Sequence, residues 1–154
     1  MANTQLTRRI LFASVGAALC LPNATLPENE IVRVAKSPTC GCCGAWVDHM
    51  RQAGFQVEVQ DLEYDTLQRL KTHLGISPRH ASCHTAQVAG YVIEGHVPAT
   101  DVARLLKERP SAIGLAVPGM PIGSPGMEMG DQRERYDVVL LKPQGRNEVF
   151  QSYR

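Results

Sequence analysis

Aromatic residues are scarce in this chain, at 5% of 154 positions, so its core has to rest mainly on Val, Leu, Ile and Ala. An excess of charge is missing as well. The formal net charge is +1, which removes the electrostatic case for nucleic acid binding. The apolar run Ile10–Leu21 is too short for an ordinary membrane span. Coming after Arg8 and Arg9, it instead has the basic-then-apolar pattern of a secretory signal peptide. We assign residues 1–24 to that peptide, with Cys20 discarded in it, and expect a periplasmic protein. The segment 118–130, rich in Gly and Pro, lacks the Lys-Ser/Thr ending of a phosphate-binding loop. Paired carboxylates and a Ser/His/Asp set find no support. There is no internal repeat and no long linker, so residues 25–154 read as one domain.

Cysteine is what the chain does have, and it is concentrated. Three of the five cysteines fall in Thr39-Cys40-Gly41-Cys42-Cys43-Gly44. A β-type run, Ile31–Ala35, precedes them, and a helical run, Ala45–Gln52, follows, with Trp46, Val47 and Met50 on its apolar face. Ser37 or Thr39 is placed to cap this helix. Cys42 and Cys43 therefore fall in or beside the first helical turn, where unpaired N–H groups favour a thiolate. Phe55–Val59 alternates as a half-buried strand, and Asp61–Leu74 reads as a helix with Leu67, Leu70 and Leu74 inward. Thr85–Val88 and Tyr91–Gly95 form a hairpin, and a third helix runs from about Pro98 to Glu108. This β-α-β-α-β-β-α order implies an α/β, thioredoxin-like mixed sheet flanked by helices. Extra C-terminal strands are expected at Tyr136–Leu141 and Asn147–Phe150, after the Gly/Pro/Met-rich loop.

Cys40 and Cys43 form a Cys-x-x-Cys pair, and Cys42 adds a third sulfur that dithiol exchange does not need. The spacing leaves the oxidation state of Cys40 and Cys43 open. In the expected fold, the segment before the third strand passes the cysteine corner, which brings Cys83 and His84 towards it. Soft sulfur ligands select Cu(I), Zn or iron–sulfur chemistry. Met120 and Met127, each following a glycine, add thioethers that favour Cu(I) over Zn. His96 reads as a helix-cap or packing residue, and His49, His73 and His80 as surface or helix residues.

Four motifs then agree in order: Thr39–Cys43, Ser82–Thr85, Gly90–Pro98, and Gly114–Pro121 with Gly123–Glu128. Together they resemble the CopG-type metal-binding proteins of bacterial copper-resistance operons, over roughly Ile31–Phe150. The resemblance implies a thioredoxin-like fold, copper ions bound at the Cys-x-Cys-Cys site, and a role in converting copper between Cu(I) and Cu(II). Carried over by position, it makes Cys40, Cys42, Cys43 and Cys83 the thiolate ligands, with His84, Met120 and Met127 as weaker candidates.

These residues leave three functions open. One is a periplasmic copper-binding protein of copper resistance, working beside other periplasmic copper-handling proteins. Another is a thiol–disulfide oxidoreductase using Cys40 and Cys43. A structural zinc module ranks third, because a four-cysteine zinc ribbon would want a second Cys-x-x-Cys pair.

Overall fold

The structure, a computed structural model, describes residues 30–154. The signal-peptide assignment to 1–24 lies outside those residues. Seven strands form one mixed sheet: β1 (Ile31–Lys36), β2 (Gln56–Asp61), β3 (Thr85–Val88), β4 (Tyr91–Glu94), β5 (Gly114–Ala116), β6 (Tyr136–Leu141) and β7 (Glu148–Tyr153). Their order across the sheet is β2-β1-β3-β4-β5-β6-β7. β1 and β2 run parallel, as a βαβ crossover requires, and β3 runs antiparallel to both of its neighbours, β1 and β4. The helices are α1 (Gly41–Gln52), α2 (Tyr64–His73) and α3 (Ala99–Glu108). This is the α/β arrangement expected from the element order, and it is compatible with a thioredoxin-like core extended by β5, β6 and β7.

Alternation along the strands divides the side chains between two faces. On one face Val32, Val34, Ile93, Leu115 and Leu140 pack against Trp46, Val47 and Met50 of α1 and Val102, Leu105 and Leu106 of α3. On the other, Val92, Ala116 and Leu141 meet Ile76 and Leu74 at the end of α2. The C-terminal strand is held by polar and aromatic contacts to α3. Tyr153 donates to Asp101 Oδ2 at 2.7 Å, and the Arg104 guanidinium lies 3.7 Å from the centre of the Phe150 ring.

Three local expectations change. β2 is an exposed strand in which only Val57 is partly buried, because it lies at the edge of the sheet. Within α2, Leu67 is buried but Leu70 and Leu74 are only half-buried, and the residue driven fully inward is Lys71. Neither Ser37 nor Thr39 caps α1. Cys40 occupies the N-cap without a side-chain cap bond, while the Ser37 and Thr39 hydroxyls face each other at 3.2 Å.

Candidate metal centre

Cys40 occupies the N-cap position of α1, and Cys42 and Cys43 lie in its first turn, where the sequence places them. Cys40 and Cys43 are joined in a disulfide, leaving Cys42 and Cys83 as the free thiols among the described residues. Cys83 comes from the bend ahead of β3. Its sulfur lies 3.9 Å from that of Cys42, which is itself 3.5 Å from Cys40 Sγ. All four sulfurs lie within 4.8 Å of one another, although Cys83 is about forty residues away in sequence.

Two histidines complete a second donor group with Cys83, again within 4.8 Å. His84 is fully buried, with Nδ1 3.4 Å from Cys83 Sγ, its ring 4.5 Å from Trp46, and Nε2 without a hydrogen-bond partner. A buried, unpartnered ring nitrogen is costly, and it is Nδ1, not this Nε2, that faces the Cys83 sulfur. His96, read from the sequence as a helix-cap or packing residue, is fully buried and not a cap, and sequence reasoning did not place it beside Cys83: its Nε2 stands 3.0 Å from Cys83 Sγ. Its Nδ1 lies 2.8 Å from the Pro125 carbonyl, which can only accept, so Nδ1 carries the proton and the Nε2 lone pair faces the sulfur. The signal available in the sequence was its place at the end of β4, two residues after Glu94. The helix-capping role belongs instead to His49, whose Nε2 accepts the Ala99 N–H at 3.0 Å at the start of α3.

The Gly/Pro/Met loop crosses over this corner as a strap. Gly126 sits so close to α1 that a Cβ there would lie 2.7 Å from the Cys42 carbonyl oxygen and 2.8 Å from the Trp46 nitrogen. Gly119 donates to the Ala81 carbonyl and accepts from the Ser82 hydroxyl. Met120 and Met127 therefore follow the two glycines that touch the cysteine-bearing segments, Met120 half-exposed and Met127 partly buried. Trp46 anchors the other side, donating to the Val97 carbonyl at 2.8 Å.

The electrostatics keep the imidazoles neutral. Burial holds His84 well below the ordinary imidazole range, with His96 and Lys71 adding to the effect. Burial also lowers His96, opposed by the Pro125 carbonyl and Glu128. Neutral imidazole is the ligating form. Cys83 is pushed up to about 12, chiefly by burial and then by Cys42, so a metal binding there has to displace a proton.

Sulfur and imidazole donors grouped in this way suit a soft metal ion. The structure is similar to two solved forms of a "Copper resistance protein copG". Form 2 has a TM-score of 0.75 and 42% identity, over 81% of this chain and 98% of that one. Form 1 has a TM-score of 0.74 and 43% identity, over 80% and 96%. The chain belongs to the CopG copper-resistance family. A family model described as "Protein of unknown function, DUF411" matches residues 80–127 of this CopG-family chain, which hold Cys83, His84, His96, Met120 and Met127. No curated protein matches the chain. The family expected from the sequence motifs is thus the one found.

Proposed function

We propose that this CopG-family protein is a periplasmic copper-binding protein of copper resistance, exported by a signal peptide at residues 1–24 with residues 25–154 as the functional domain. Cys40, Cys42, Cys43 and Cys83 bind Cu(I) in the reduced protein, assisted by His84, His96, Met120 and Met127. The convergence of four sulfurs within 4.8 Å carries this reading. Thiolate and thioether sulfur favour Cu(I), while the imidazoles also suit Cu(II). Other periplasmic copper-handling proteins are the partners such a role calls for. Cys42→Ser and Cys83→Ser should each weaken Cu(I) binding, measured by anaerobic chelator competition. Parental affinity in both variants would move the site elsewhere.

The same residues support interconversion of Cu(I) and Cu(II). The Cys40 and Cys43 thiols, on forming their disulfide, release two electrons and two protons, and two Cu(II) ions take up the electrons to become two Cu(I). The reverse step reduces the disulfide at the expense of two Cu(I). Anaerobic addition of Cu(II) to reduced protein should consume two thiols for every two Cu(I) formed.

The Cys40–Cys43 bond at the start of α1 favours a second reading, a thiol–disulfide oxidoreductase. That reading requires disulfide exchange by the metal-free reduced protein, with Cys42 dispensable. Inactivity towards model disulfides would remove it.

A further inference from the structure

Beneath Cys83 and His84 lies an ion pair that neither copper binding nor disulfide exchange uses. Lys71 reaches from α2 to Glu94 on β4, with Nζ 2.6 Å from Oε1, and both side chains are almost fully buried. Lys71 Nζ also donates to Thr85 Oγ1 at 2.7 Å, and the Thr85 hydroxyl in turn donates to Glu94 Oε2. The Ser82 backbone N–H donates to Glu94 Oε1 at 2.7 Å. Burying such a pair in place of apolar side chains rarely adds stability, so its presence here calls for another explanation.

The contacts supply one. Ser82 and Thr85 are the residues on either side of Cys83-His84, and the Glu94 carboxylate holds both. The Cys83-His84 dipeptide lies outside any strand, so no sheet ladder fixes it. Gly95, next to Glu94, donates to the His84 carbonyl at 3.0 Å, and it approaches Ser82 so closely that a Cβ on Gly95 would lie 2.5 Å from Ser82 Cβ. Both groups on Cys83-His84 that matter chemically, the sulfur and the buried ring, therefore hang from a segment whose ends are tied to one carboxylate.

We propose that the buried Lys71–Glu94 pair, bridged by Thr85, is a positioning device that fixes Cys83 and His84 at the metal centre. Its link to metal affinity rests on the copper reading above; its effect on Cys83 does not. Polar groups behind the ligands of a metal site commonly change affinity by about 10- to 100-fold, and these residues stand in that relation to Cys83 and His84.

The test uses Thr85→Val, which removes the bridging hydroxyl and keeps the side-chain shape, beside Thr85→Ser, which keeps the hydroxyl. In metal-free reduced protein, alkylation of each cysteine by iodoacetamide is followed by peptide mass spectrometry. Cys83 should react several-fold differently in Thr85→Val, Cys42 should keep its parental rate, and Thr85→Ser should restore Cys83. Cu(I) affinity of Thr85→Val should fall roughly 10- to 100-fold. The double variant Lys71→Met with Glu94→Gln, which leaves no lone buried charge, should change Cys83 in the same way. Parental Cys83 reactivity in either folded variant overturns the positioning role. A parent protein that binds no Cu(I) would sink the copper reading instead, and the alkylation rates would still decide the clamp.

Discussion

Mild acid should destabilise the metal-free protein through His84. Its ordinary pKa is 6.5, and burial holds it well below that in the fold. The unfolded chain therefore binds a proton below pH 6.5 that the folded chain refuses, so stability is complete above that pH and falls as pH drops towards the folded value. At pH 5.5, one unit below the unfolded pKa, His84 alone should remove about 1 kcal/mol relative to pH 7.5. For a domain of this size that lowers Tm by roughly 2–4 °C. His96 and His49 are also lowered by burial and act in the same direction. The assay is thermal and urea unfolding of metal-free parent and His84→Leu at both pH values. The leucine variant should lose the His84 share of the acid sensitivity and keep the rest. Equal losses of stability in the two proteins would refute the reasoning.

Three further outcomes follow from the site and its supports. Gly126→Ala should lift the strap from α1, since the new Cβ would press on the Cys42 carbonyl and the Trp46 amide; a stability loss of about 1–3 kcal/mol by urea unfolding is expected, together with weaker Cu(I) binding. Cys42→Ser should leave the Cys40–Cys43 disulfide intact by mass spectrometry while Cu(I) affinity falls; unchanged Cu(I) affinity with retained disulfide exchange would favour the oxidoreductase. Tyr153→Phe deletes the bond to Asp101 that helps hold β7 to α3, and should cost about 1 kcal/mol in urea unfolding with no effect on copper.

The parts of the site that were legible in the sequence are the local ones. Cys40, Cys42 and Cys43 announce themselves by spacing and by the strand-to-helix change around them. Cys83 could be placed because the element order implied which segment passes the corner. His96 could not, because its role depends on the Pro125 carbonyl, supplied by a loop whose path no periodic pattern describes. Lys71 and Glu94 were hidden for a related reason. A lysine in a helix and a glutamate in a strand ordinarily face solvent, and only the packing of α2 on β4 turns them towards each other. The alternation in β2 misled in the opposite sense, since an edge strand can carry a buried-strand pattern without a layer to cover it.

The most direct test of copper binding is an anaerobic Cu(I) titration of the reduced, metal-free protein against a strong competing chelator, with Zn run in parallel. Tight Cu(I) uptake that releases thiol protons and outcompetes Zn is the predicted result. Weak Cu(I) uptake, or a clear preference for Zn, would contradict it.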